Sequence, residues 1–329
     1  MASIRNRNGK WQARVVRKGI PTIAKTFLIK SDAEKWARQI ERDIDKGSYT
    51  NISIAEKTTF KEIIQKYIRE VTPSMKSNTE DTIRLNAICR KSIAKLSMTS
   101  LSPSKIADYR DERLKSVSAG TVIRELSYFS SIINHARREW NINIDNPVSL
   151  VRKPPSPAGR SRILSPSEKE YLLEALTATQ KNRRNIWMKP LVEFALETAM
   201  RRGEMLSLRW SNIDYTKQIA FIADSKNGES RYVPLSKYAV KILQDLPKSI
   251  DGRVFPINDF CVAAYFMKAT KRAEIEDFHF HDLRHTSITN LMGKVSNLIE
   301  LSAISGHKTL SMLKRYTHIN VEEIAKKLG

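Results

Sequence analysis

The sequence predicts a multidomain chain: a small N-terminal three-stranded sheet plus helix, an all-α middle, and a mixed α+β, mainly α, C-terminal domain. Three observations support this. The length of 329 residues exceeds a typical single domain. The apolar pattern changes along the chain, from alternation to helical spacing to a mixture of both. A proline-rich basic run, Arg152 to Arg162, separates the helical part from the mixed part. The domains read as 1–56, 57–151, a linker over 152–163, and 164–329.

The N-terminal domain shows its turns first. Asn8-Gly9 is a hairpin signal, Trp11, Ala13 and Val15 alternate with Gln12 and Arg14, and Lys18-Gly19 marks a second turn before Thr22 to Phe27. Ser31-Asp32-Ala33-Glu34 reads as a capping box opening a helix to about Lys46, with Gly47 as its stop. From Met1 to Lys30 there are eight basic residues and no acid. From Thr58 to about Val151 the pattern is helical. Phe60, Ile63, Ile64, Tyr67 and Ile68 form one stripe, and Thr79 to Ile93 carries a second. Leu101 to Ser104 opens a helix towards Leu114. Gly120 precedes Thr121 to Glu139, with Val122, Leu126, Phe129, Ile132 and Ile133 facing inward. Beyond the linker, Leu191 to Thr198 and Glu204 to Leu208 read as helices. Gln218 to Ala223 and Arg231 to Pro234 read as strands joined by a hairpin at Ser225 to Gly228, and the rest is mostly helical.

Charge sets the partner class. A net charge of +22, from 57 Lys+Arg against 35 Asp+Glu, calls for a polyanion. No long apolar run or basic amphipathic anchor appears, so nucleic acid is expected rather than a membrane. The candidate contacts are Arg5, Arg7, Arg14, Arg17, Lys18 and Lys25 on the sheet, and Arg152, Lys153, Arg160 and Arg162 in the linker. Two distant cysteines, Cys89 and Cys261, and an N-terminus without an apolar h-region point to a cytoplasmic setting.

The chemistry concentrates in the second half. Arg201 lies in TAMRRGEML, Lys226 in the hairpin, His281 and Arg284 in HDLRH, and Gly306-His307 stands nine residues before Tyr316. A tyrosine is a poor nucleophile unless its proton is removed or screened. Two arginines, a lysine, two histidines and a tyrosine, without a carboxylate base, suit a phosphodiester whose charge cations can hold. His279, His281 and His285 fall within seven residues, but partly on one helix and without a cysteine they make a poor closed metal shell. No G-x-x-x-x-G-K-[ST] loop occurs, so no ATP or other cofactor is expected.

In this order and spacing, the motifs resemble those of the tyrosine recombinases, and the whole chain resembles their phage and genomic-island integrases. Two positions depart from the family pattern: Ala199 stands where glycine is common, and Ser305 where leucine is usual. A phosphodiester assigns the roles. Arg201 and Arg284 would fork onto non-bridging oxygens, and Lys226 would protonate the leaving 5′-oxygen. His281 and His307 would bond the phosphate or take the tyrosine proton, with Glu204 orienting an arginine. The resemblance implies a covalent phosphotyrosine intermediate, arm-type and core-type DNA sites, a homo-tetramer on DNA, a DNA-bending host factor and a directionality factor. It also implies that the short apolar stripe over Val321 to Gly329 docks on a neighbouring protomer. A type IB-like topoisomerase and a non-catalytic DNA-binding regulator are the competing readings. The separate basic sheet weighs against the first and the complete residue set against the second.

Overall fold

Alternation at the N-terminus produces a sheet. Strands β1 (Ala2–Arg7), β2 (Lys10–Arg17) and β3 (Ile20–Phe27) pair antiparallel in that order. The structure, a computed structural model, describes residues 2–17, 20–45, 53–180, 185–223, 230–295, 297–313 and 316. The Lys18-Gly19 turn, Gly47, the hairpin bearing Lys226 and the tail after Tyr316 lie outside these residues. The chain divides into two compact units, Met1–Ala158 and Gly159–Gly329.

Asn8 (φ 49°) and Gly9 (φ 77°) are both left-handed, as a two-residue type I′ hairpin requires. Ala13 and Val15 are buried, and they share a core with Ala33 and Ala37 of α1 (Lys30–Asp45). This helix begins before Ser31, because the Ala33 amide already bonds the Ile29 carbonyl at 3.4 Å. Ser31 is therefore inside the first turn and is not the cap the sequence suggested. The chain enters the helix directly from β3, with Trp36 packed on Phe27 at 5.6 Å.

Register divides the basic residues between two faces. Ser3 pairs with Arg14, Arg5 with Gln12 and Arg7 with Lys10, opposite in phase to the inward Ile4–Ala13 and Ala2–Val15 pairs. Arg5, Arg7, Lys10 and Arg14 thus share the face away from α1. Lys25 pairs with Ala13 and so belongs to the helix side. Arg17 meets Asp45 of α1 at 3.2 Å. The expectation of one all-basic sheet is corrected to one basic face.

The middle of the first unit is helical. After α2 (Ser53–Lys57), α3 (Phe60–Glu70) opens on a capping box in which Thr59 and Glu62 bond each other's amides. Helix α4 (Asn78–Cys89) ends earlier than the pattern to Ile93 suggested, because Ile93 packs from a separate 3-10 turn over Ser92–Lys95. Ser102 caps α5 (Pro103–Leu114) and Ser118 caps α6 (Ala119–Glu139), which puts Gly120 inside the last helix rather than before it. Phe129 on α6 is fully buried, 5.0 Å from both Phe60 and Tyr109.

The second unit packs α7 (Pro166–Gln180), α8 (Met188–Thr198), α9 (Arg202–Ser207), α10 (Lys237–Gln244) and α11 (Asp259–Arg272) around one apolar core. Strands β4 (Ile213–Asp214), β5 (Ile219–Ile222) and β6 (Arg231–Pro234) form an antiparallel sheet, its first strand unforeseen from the sequence. Helix α12 (Asp282–Met292) packs on α8 and on α13 (Leu298–Ser305), which also lies against β6. Ala199, Ile288, Leu301, Leu313 and Tyr316 make a second small core at this corner.

Candidate active site

Helix ends and a strand start converge at that corner. Helix α8 ends in Ala199, which is fully buried and left-handed (φ 52°, ψ 20°). An alanine there costs about 1–2 kcal/mol, which explains why glycine is common at this position. Arg201 is the residue before α9, His281 the residue before α12, and Gly306 (φ 69°) the left-handed stop of α13. A helix end leaves carbonyls without partners. Three guanidiniums fill them here: Arg231 Nε donates to Ile304 O at 3.4 Å, Arg284 to Ser305 O at 2.6 Å, and Arg201 to Gly306 O at 3.0 Å. Arg284 also donates to the Ala199 carbonyl.

Glu204 holds the arginines from the other side. Its carboxylate is buried and accepts from the Arg201 amide (2.9 Å), the Arg201 guanidinium (2.9 Å) and both terminal nitrogens of Arg231 (2.9 and 2.7 Å). Burial works to raise its pKa, but the bonds from Arg231 and Arg201 outweigh it and hold the group at about 2. Glu204 is therefore an ionised anchor rather than a base. Burial, with the like charges of Arg201 and Arg231 close by, pulls Arg284 down to about 10. It stays charged at neutral pH.

Gly306 is required twice. Its φ is in the left-handed region, and a Cβ would stand 2.9 Å from Arg231 Cζ and Nε. Next to it, His307 is half-buried and its Nδ1 lies 2.7 Å from Ser305 Oγ. Tyr316 is buried, with its hydroxyl hydrogen-bonded to Nδ1 of His285. His285 in turn meets His281 edge-on at 5.5 Å. The structure thus brings Arg201, Glu204, His281, Arg284, His307 and Tyr316 into one corner, while Lys226 lies outside the described residues.

Sequence reasoning missed Arg231 and His285. A basic residue on a strand carries no signal in so basic a chain, and the partner of Arg231 is 27 positions away. His285 was weighed only as a metal ligand, yet the i, i+4 spacing from His281 places both on one helix face.

The linker arginines have other partners than expected. Arg160 forks onto Asp282, which is fully buried at the start of α12, at 2.9–3.1 Å, and reaches Asp277 at 2.9 Å. Arg162 pairs with Glu168. These two are corrected from phosphate contacts to internal ion pairs, because carboxylates of their own unit reach them first. Arg152 and Lys153 are exposed.

Comparison with known proteins gives the class. Residues 162–323 match the phage integrase family, and residues 56–153 match the N-terminal domain of phage integrases. The chain is 39% identical over 281 residues to the shufflon-specific DNA recombinase of Escherichia coli, covering 83% of this chain and 72% of that one. It is 35% identical over 325 residues to an integrase/recombinase of Haemophilus influenzae, covering 95% and 86%. A lambda integrase dimer bound to a COC′ core site has the same fold, with a TM-score of 0.65 at 22% identity over 96% of this chain and 93% of that one. The chain belongs to the phage integrase family. It is a tyrosine recombinase, a site-specific enzyme that transfers DNA strands.

Glu204 generates a pH prediction. Its folded pKa of about 2 lies below the ordinary 4.5, so its stabilisation is complete above about pH 4.5 and is lost as pH falls towards 2. A shift of that size is worth roughly 3 kcal/mol. Glu204→Gln should lower stability by about that amount at neutral pH, and denaturant unfolding should show the gap to wild type closing between those two pH values. A gap independent of pH would remove the carboxylate from this role.

Proposed function

We propose that the protein integrates or excises a mobile element or phage genome by cleaving DNA through a 3′-phosphotyrosine formed on Tyr316. Arg201 and Arg284 hold the non-bridging oxygens of the scissile phosphate, Lys226 protonates the departing 5′-oxygen, and His281 and His307 serve the phosphate or the tyrosine proton. One observation carries this reading: the two arginines hang from adjacent carbonyls, Ser305 and Gly306, directly before His307 and in the corner that holds Tyr316. Among the described residues each of these guanidiniums spends two of its five N–H groups on such bonds, which leaves it donors beyond those that anchor it.

On the same reading, residues 1–56 bind arm-type DNA, 57–151 bind core-type DNA, 152–163 link them to the catalytic residues 164–329, and a homo-tetramer assembles on DNA. A solved lambda integrase tetramer bound to a Holliday junction supports the assembly by likeness of fold. The shared face of Arg5, Arg7, Lys10 and Arg14 supports the first assignment, with Arg152 and Lys153 as further contacts. The setting is the bacterial cytoplasm, and a DNA-bending host factor and a directionality factor are further expected partners. Among the described residues, no helix is long and apolar enough to cross a membrane.

Tyr316→Phe should bind DNA normally and form no covalent adduct with a suicide duplex carrying the crossover site. An adduct that persists would assign the nucleophile elsewhere. A chain lacking residues 1–56 should still form the adduct but fail at complete integration, and integration at the intact rate would remove the arm-binding role.

A further inference from the structure

Ser305 departs from the leucine usual in its family and sits against a histidine of the site. Its side chain is fully buried at the last residue of α13. The hydroxyl oxygen lies 2.6 Å from the Leu301 carbonyl, one turn back, and 2.7 Å from Nδ1 of His307. A hydroxyl has one proton to give, and a carbonyl can only accept. Both contacts are hydrogen bonds only if that proton goes to Leu301, as helical serines commonly arrange. Nδ1 of His307 must then carry a hydrogen and donate it to Oγ.

We propose that Ser305 is a positioning residue that fixes His307 as its Nδ1–H tautomer. The neutral ring then presents Nε2 as a lone pair, so it meets the reacting groups as a proton acceptor. It becomes an N–H donor to a phosphate oxygen only after taking up a proton. A leucine offers Nδ1 no acceptor and imposes no such choice. The loop that carries the pair is held still for this purpose. Arg231, Arg284 and Arg201 bond the carbonyls of Ile304, Ser305 and Gly306, and Ser302 Oγ donates to the carbonyl of His307 itself at 2.6 Å. The choice of tautomer therefore rests on a hydroxyl and a ring that have little freedom to turn.

The inference rests on reading His307 as a residue of the site, but its test does not use activity, so the two can fail separately. The full chain has six histidines, few enough for long-range ¹H–¹⁵N correlation on protein labelled at histidine, with His307→Gln assigning the resonance. At a pH where the ring is neutral, wild type should show the Nδ1–H pattern at His307. Ser305→Ala should move it towards the Nε2–H form that unconstrained histidines prefer, while the other five histidines keep their patterns. An Nε2–H pattern in wild type overturns the proposal without recourse to any variant. So does a Ser305→Ala protein whose His307 keeps the Nδ1–H form.

Discussion

The site depends on the exposed end of one helix. The last carbonyls of α13 have no partners within the helix and carry the negative end of its dipole. Arg231, Arg284 and Arg201 donate to three of them in succession, at Ile304, Ser305 and Gly306. Three guanidiniums so close would repel one another in a chain already at +22. The helix terminus and the buried carboxylate of Glu204 offset that repulsion. They also bring residues from α9, β6 and α12 to fixed places around one loop. The same loop carries His307, and Tyr316 follows nine residues on. On the proposed function a phosphate would meet donors that are already in place, which is where electrostatic catalysis gains most.

Much of this was legible in the sequence where chemistry restricts residue choice. The Asn8-Gly9 turn, the helix start within Leu101 to Ser104 and the inward residues of α6 follow from local rules, and the structure has each of them. Arg201, His281, Arg284, His307 and Tyr316 could be named because their spacing is characteristic. What stayed hidden was set by tertiary partners. Arg231 is one cation among many until Glu204 is seen beneath it. Ser305 was visible only as a departure from the usual leucine, and its distances to Leu301 and His307 give it a task. Ser31 looked like a cap because it had the right neighbours, but packing of α1 on the sheet started the helix earlier.

The basic surplus is likewise not one undivided surface for DNA. Arg17, Arg160 and Arg162 are engaged by Asp45, Asp282 and Glu168, while Arg5, Arg7, Lys10 and Arg14 share an open face. Arg160 is the instructive case. The linker's charge made Arg160 a candidate nucleic-acid contact, yet Asp282 beside His281 captures this side chain and ties it to the start of α12. Composition gave the sign of the charge, and register and burial decided which charges are available.

The central claim is that the end of α13 places the arginines, and Gly306→Ala tests it most directly. The added Cβ would fall 2.9 Å from the Arg231 guanidinium, at a φ of 69°. Strain of about 1–2 kcal/mol should leave the protein folded. The rate of covalent adduct formation on a suicide duplex should nonetheless fall by roughly a hundred- to a thousand-fold, the loss expected when a preorganised donor is displaced. A folded Gly306→Ala protein that forms the adduct at the wild-type rate would contradict the account.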